Sequence, residues 1–406
     1  MIVMAANPRR GDALSKTLFE LHLLGGAAPR GELTDRVGCG RSVMGFLLGE
    51  LTDRGLVTVD RKPAADGKPD GGRPSHRVAV SHDAPVVIAT QLTADTIRVA
   101  TVALGGRILS REEKAFAPKR RVAAVVDDLC SLIAAAAAEG PDVLGIGVGV
   151  PSPVRREDGY VFAALHLDWP GIPLRELMLE RLTDWPGTAG VRLAIGNDAN
   201  LAALAESRHG AGRGARQMLY LMTSRLGLGG ALISDQELFT GAHGYAIEPG
   251  HVTVNPGGAA CLCGSNGCLE VEADHRALLR AAGEAEVSTE RVVARVHALL
   301  ERAREGERPA LEALREVNAQ LGIGLASLIN LTDPDCVVLG DTLGTLLELE
   351  PDPITERVAE RSFLNPTGAI PIRPGALQDA TLLGAAELAF GPLLLNPREV
   401  VAKPVA

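Results

Sequence analysis

Aromatic residues are scarce, at 3% of 406 positions, while hydrophobic residues make up 46%. Any core must therefore be built from Ala, Val and Leu. No apolar run approaches the length needed to cross a bilayer, so no membrane partner is expected. The opening MIVMAANPRR has no long apolar stretch behind a basic start and does not read as a signal peptide; a cytoplasmic protein is expected. A general excess of positive charge is also lacking. The net charge is −9, which excludes a protein that coats nucleic acid along its whole surface. Cysteine is sparse, with six residues, and nothing else looks secreted, which argues against a disulfide framework. The length suffices for two or three domains.

What charge there is falls unevenly. Residues 1–82 hold 12 Lys and Arg against 9 Asp and Glu, and the remainder 29 against 41. A mildly basic front on an acidic body fits a small DNA-reading module joined to a larger domain.

Three of the six cysteines lie together, in EPGHVTVNPGGAACLCGSNGCLE, residues 248–270. Cys261, Cys263 and Cys268 follow His251, and Glu248 and Glu270 bracket the set. Three thiolates and one imidazole make a closed tetrahedral zinc shell, so Zn2+ is the expected cofactor. Gly257, Gly258, Gly264 and Gly267 allow the sharp folding that aims three sulfurs at one point. A zinc-bound histidine has its second ring nitrogen fixed in direction. Glu248, His251 and Glu270 would then form a rigid polar cluster suited to a hydroxyl-rich ligand. The pattern E-x-G-H followed by C-x-C-G-x2-G-C-x-E resembles the zinc and sugar-binding signature of the ROK family (repressors, open reading frames and sugar kinases).

Toward the front, Leu14, Leu18, Leu21 and Leu24 have helical spacing, with Asp12 or Ser15 as the cap. A short helix over 31–37, a Gly-Cys-Gly turn and a helix from Arg41 to Arg54 follow, with Val43, Leu47 and Leu51 as its apolar stripe. This is the helix-turn-helix pattern. Strands over 56–59 and 75–80, joined by the Gly- and Pro-rich 63–74, form a wing. Residues 11–80 resemble a winged-helix DNA-binding domain, and Gly71-Gly72-Arg73-Pro74 resembles the wing tip of ROK-type repressors. Arg41 and Ser42, opening the helix after the turn, are the candidates for base contacts in the major groove. Arg73 and Arg77 on the wing are candidates for phosphate or minor-groove contacts.

Strands are expected over 86–92, 96–104, 107–116, 143–150 and 193–195, with helices over 121–139 and from about 197 to 209. A weaker repeat follows: strands over 218–223, 229–234 and 336–339, and helices over 275–282, 289–304, 308–331, 354–361 and 380–390. The tail from Leu395 is expected to fray. Three antiparallel strands followed by β-α-β resembles the opening of the ribonuclease-H-like, actin-like kinase fold. The expected architecture is thus α/β: a winged helix-turn-helix over 1–82 and a two-lobed ROK domain over 83–406.

Asn197-Asp198 resembles the ROK catalytic and sugar-binding pair. In the kinases that Asp takes the proton from the attacking sugar hydroxyl. Asp198 also sits where a strand gives way to a helix and could cap it; the two roles are compatible. The resemblance implies that Asn197, Asp198, Glu248, His251 and Glu270 line one sugar pocket. The nucleotide side departs from the family. Where kinases carry Asp-x-Gly-Gly-Thr on the first hairpin turn, this chain reads Gln91-Leu92-Thr93-Ala94-Asp95. Where they carry Gly-Thr-Gly, it has Arg225-Leu226-Gly227, and the later Gly-Gly is Gly340-Asp341. On the sugar side, Pro151-Ser152 replaces Pro-Gly, and Pro249 stands where an aliphatic residue is usual. Cys39, Cys130 and Cys336 read as buried small residues.

The sequence therefore predicts a sugar-responsive transcriptional regulator, a repressor, with operator DNA and a sugar or sugar derivative as partners. It is expected to act as a homodimer or dimer of dimers and to have no enzyme activity. The alternative is a sugar kinase carrying a fused DNA module, with Asp198 as the base.

Overall fold

A computed structural model describes residues 11–60, 76–117, 120–138, 142–155, 157–183, 191–223, 227–284, 287–288, 291–365 and 367–400. The first elements are helix α1 (Ala13–Leu24), strand β1 (Ala28–Pro29), helices α2 (Arg30–Val37) and α3 (Arg41–Asp53), and strands β2 (Val57–Asp60) and β3 (Arg77–Val80). Asp12 caps α1 by accepting from the Ser15 amide, as its position predicts. The strands form a small antiparallel sheet in the order β1-β3-β2; the two-residue β1 was not expected from the sequence. The expected stripe on α3 is displaced. Met44, Leu47, Leu48 and Leu51 face the core, whereas Val43 is 48% exposed. The connection between β2 and β3, with Arg73 and the 71–74 segment, lies outside the described residues.

The first lobe follows as β4 (Val86–Leu92), β5 (Thr96–Ala103), β6 (Arg107–Ala115), α4 (Val122–Ala138), β7 (Val143–Val150), α5 (Leu174–Leu182), β8 (Arg192–Asn197) and α6 (Asp198–His209). Its sheet has the order β6-β5-β4-β7-β8. The antiparallel β4–β6 meander joins the parallel β7 and β8 through β4. The near-continuous apolar run of β7 matches its central, two-sided burial.

The second lobe repeats the scheme. It contains β9 (Gln217–Thr223), β10 (Leu228–Ser234), β11 (Glu237–Leu238), α7 (Leu269–Ala273), α8 (His275–Ala281), α9 (Val292–Arg304), α10 (Arg308–Thr332), β12 (Cys336–Gly340), α11 (Asp341–Leu349), α12 (Asp352–Arg361) and β13 (Ile372–Pro374). The sheet order is β11-β10-β9-β12-β13, with β12 parallel to both β9 and β13.

Helix α13 (Ala380–Leu395) returns to the first lobe, and α14 (Pro397–Val400) follows. Expected to stop at Phe390, α13 continues past Pro392, which lies inside it. Nor is the tail as far as Val400 frayed. Arg398 binds both oxygens of Glu50 on α3, at 2.8 and 3.0 Å, and also pairs with Asp12. One apolar cluster runs from Leu14, Leu18 and Leu51 through Val87 and Val102 to Leu388 and Phe390. The N-terminal elements are thus packed onto the first lobe. Among the described residues no helix is long and apolar enough to cross a membrane.

Candidate functional site

The two lobes meet in a cleft lined by Pro151, Ser152, His166, Asn197, Asp198, Glu248, His251 and Glu270, among others. All five residues assigned from the sequence to a sugar pocket are brought together. Asn197 and Asp198 arrive where β8 ends and α6 begins. The cap is Asn197, not Asp198: its side-chain oxygen accepts from the Asn200 amide at 3.0 Å, while its Nδ2 donates to the Ser152 carbonyl at 3.2 Å. That arrangement leaves Asp198 as the first helical residue, with Oδ1 accepting from the Ala199 amide at 2.8 Å. Burial pushes the Asp198 carboxyl up to about 7, with Asp341 adding to the rise and His166 opposing it.

Glu248 precedes a single helical turn, Pro249–His251, whose opening proline suits its fixed φ. Its carboxyl is likewise raised to about 7, by desolvation first and then by Asp198 and Glu270. Glu270 behaves in the opposite way. Burial would raise it, but His166, the Leu228 amide at 3.2 Å and His251 hold it below its usual value. The cleft thus holds one carboxylate kept in its charged form and two whose protonation changes near neutrality. Such a set can both accept from and donate to hydroxyl groups. His166 is a cleft residue that sequence reading missed. It lies 3.8 Å from Glu270, on a single 3-10 turn (Leu165–Leu167) between β7 and α5 that is too short to carry a periodic signal.

Below the cleft, His251, Cys261, Cys263 and Cys268 offer four donor atoms within 4.8 Å of one another. The His251 Nδ1 to Cys261 Sγ distance is 3.7 Å, and so is Cys263 Sγ to Cys268 Sγ. For a metal ~2.3 Å from sulfur the tetrahedral edge is about 3.8 Å, so the donor set fits. All six cysteines are free thiols, and Cys39 is only half-buried, not a core residue as expected. The turn needs Gly267: its φ is +64°, and a Cβ there would lie 1.7 Å from the Asn255 carbonyl oxygen. With Nδ1 facing the sulfurs, Nε2 of His251 is left for the cleft.

Across Asp198 the cleft continues along Gln91, Thr93, Ala94, Arg98, His275, His297, Asp341 and Thr342. Here the β4–β5 turn satisfies itself. The Thr93 amide donates to the Thr96 carbonyl at 2.9 Å, and the Thr96 amide donates to Thr93 Oγ1 at 3.1 Å. Asp341 opens α11 with φ +49°, a left-handed conformation that favours glycine. The residue is exposed at the cleft, yet desolvation raises its carboxyl to about 6. Residues Arg225 and Leu226 lie outside the described residues.

On the N-terminal module, Arg41, Ser42 and Arg77 are exposed. Phe46, on the same open face of α3 as Ser42 and Val43, is 70% exposed. It lies off the stripe expected from the sequence for this helix.

A two-lobed α/β fold with a polar cleft at the ends of paired β-α units defines the actin-like class of sugar-binding proteins and kinases. Residues 87–391 match the ROK family, and the chain belongs to it. The chain is 30% identical over 382 residues to the xylose repressor of Caldicellulosiruptor bescii, covering 91% of this chain and 93% of that one. It is 32% identical over 287 residues to a glucokinase of Streptomyces coelicolor, covering 66% and 87%. Among solved structures, a ROK family glucokinase from Streptomyces griseus in complex with glucose and AMPPNP aligns with a TM-score of 0.64 and 32% identity, over 75% of this chain and 98% of that one. A ROK family transcriptional regulator, a homologue of the E. coli MLC protein, shares the fold over 96% of this chain and all of its own, with a TM-score of 0.74.

Proposed function

We propose that this chain is a sugar-responsive transcriptional repressor. The observation that carries this reading is the asymmetry of the cleft. The carboxylate and histidine side is assembled at one point, while the first hairpin turn carries Thr93, Ala94 and Asp95 where the kinases carry Gly-Gly-Thr. Two further observations support it: the family membership, and the similarity to a xylose repressor along 91% of the chain, front included.

In this reading residues 1–82 are a winged helix. Arg41 and Ser42 face base edges, Phe46 extends that face, and Arg73 and Arg77 reach the backbone. Asn197, Asp198, Glu248, His251 and Glu270 hold a neutral sugar. Zinc on His251, Cys261, Cys263 and Cys268 braces the loop and aims the His251 ring. A homodimer would match a two-fold operator.

The similarity to glucokinases keeps one rival concrete: a kinase using Asp198 as base. A thermal-shift screen of zinc-loaded protein with pentoses, hexoses, their phosphates and Mg-ATP separates the two, run beside a coupled ATPase assay. The repressor reading expects a neutral-sugar shift without a Mg-ATP shift or turnover. Turnover abolished by Asp198→Asn would establish the kinase.

A further inference from the structure

Glu387 on α13 is a buried carboxylate that the cleft does not use. Three side chains converge on it from two other helices. Oε1 meets His22 Nε2 at 2.5 Å and His209 Nε2 at 2.7 Å, and Oε2 accepts from Arg208. His22 belongs to α1, in the N-terminal module. Arg208 and His209 close α6, whose first turn carries Asp198. Burial alone would raise the Glu387 carboxyl, but His22, Arg208 and His209 hold it well below its usual value.

The donor atoms of His22, His209 and Glu387 lie within 4.8 Å of one another, close enough for a metal. The proton positions argue otherwise. The Gly105 amide donates to His22 Nδ1 at 2.8 Å, so Nδ1 is an acceptor and the ring proton sits on Nε2, the atom that a metal would need bare. Arg208 also places a positive charge against the same carboxylate. The cluster is a hydrogen-bonded charge node.

What the node joins gives it meaning. Helix α6 runs 12 residues from the cleft to the node, about 18 Å. Helix α13 starts beside the same point, where Thr381 Oγ1 donates to the Asp198 carbonyl at 3.4 Å, and it carries Glu387 further along. The two helices touch backbone to backbone: a Cβ on Gly384 would lie 1.8 Å from the Leu201 carbonyl oxygen. A shift at Asp198 therefore moves both partners of the node together. The other polar ties between α1 or α3 and the C-terminal helices engage only the far end of α13 and α14, away from the cleft, and of these the Ser15 bond is buried. Ser15 Oγ donates to the Leu395 carbonyl at 2.7 Å, and Arg398 pairs with Glu50 and Asp12 at the surface. Surface pairs of that kind hold little, and apolar packing has no direction. The node is buried and directional.

We infer that the Glu387 node transmits sugar occupancy from the start of α6 to α1, with His22 as the positioning residue of the DNA-reading module. The inference rests on the repressor reading above. His22→Leu cuts the link and leaves Arg208, Glu387 and His209 together; His22→Gln keeps an amide donor. The probes are D-xylose, D-glucose and the duplex that the wild-type protein selects from a randomised pool. The expected result is sugar affinity within about twofold of wild type in His22→Leu, with the sugar-induced change in DNA affinity reduced to within about twofold of none. His22→Gln should restore that change. A His22→Leu protein with the full wild-type response overturns the inference.

Amide exchange on the wild-type protein supplies a second arm that does not depend on the variant folding. Sugar should alter protection across residues 20–25, and unchanged protection there counts against the node. Zinc bound at the node in addition to the cysteine cluster would also contradict it. If the wild-type protein shows no sugar binding or no DNA selection, the repressor reading itself has failed and the node falls with it.

Discussion

At the residue scale, Asp198 and Glu248 are carboxylates whose surroundings disfavour their charge. For a carboxylate raised in the folded state, the folded form holds the proton to higher pH than the unfolded form. Stability is then lost as pH rises from about 4 to above 7. Asp198, raised from 3.8 to about 7, carries up to about 4 kcal/mol of that loss. Asp198→Asn should therefore stabilise the sugar-free protein at pH 8. The Tm difference from wild type should shrink toward zero near pH 4, and calorimetry across that range checks it. A constant difference at all pH values would mean that charge burial is not the cause. The same substitution should weaken sugar binding. Asp198 lies in the cleft to which its sequence position assigned it, but the division of labour with Asn197 is not legible from sequence. Either side chain can cap a helix, and only the backbone at the end of β8 decides which one turns inward. His166 shows the opposite limit, since a lone histidine in a single short turn becomes informative only when Glu270 is found beside it.

At the element scale, the cysteine loop is legible as a donor cluster, because His251, Cys261, Cys263 and Cys268 fall close together in sequence and their donor atoms meet within 4.8 Å of one another. Chelation, or Cys261→Ser, should reduce zinc from about one ion per chain to none. It should also lower the Tm and abolish the sugar-induced thermal shift, because His251 loses its anchor. Retention of sugar binding in the zinc-free protein would separate the loop from the pocket. Helix α3 was harder. Its pattern admits two stripes one residue apart, and packing on α1 and the small sheet settles the choice for Met44 over Val43. The correction leaves Ser42, Val43 and Phe46 on the open face. If that face reads a major groove, Phe46 lies where thymine methyls are recognised by apolar contact. Phe46→Ala should cost about 1 kcal/mol per methyl covered, roughly fivefold in affinity. Replacing thymine by deoxyuridine in the selected site should weaken wild type by a similar factor and leave Phe46→Ala indifferent. Equal sensitivity of both proteins to deoxyuridine would remove Phe46 from the interface. Helix α13 runs past the expected Phe390: proline usually ends a helix, but the long apolar face against the first sheet and α6 carries it through Pro392.

At the scale of the whole molecule, the order of strands and the paired lobes were readable because each β-α unit repeats a short local pattern. What the sequence concealed was how the ends of the chain meet. Nothing in residues 380–400 announces a partner in residues 12–54, yet Leu395, Arg398 and Glu387 all bind the front of the molecule. That closure places the N-terminal elements directly against helices that begin at the cleft, the geometry that the proposed sensor would require. A ligand shifts such an equilibrium only by its differential affinity for the two states, and coupling between sites is typically 5–150-fold. The most direct test is the affinity of the zinc-loaded protein for its selected duplex, measured by fluorescence anisotropy with and without saturating neutral sugar. The account predicts that at least one pentose or hexose changes that affinity by about tenfold or more, with Mg-ATP having no effect. A sugar that binds the cleft and leaves DNA affinity unchanged would contradict it.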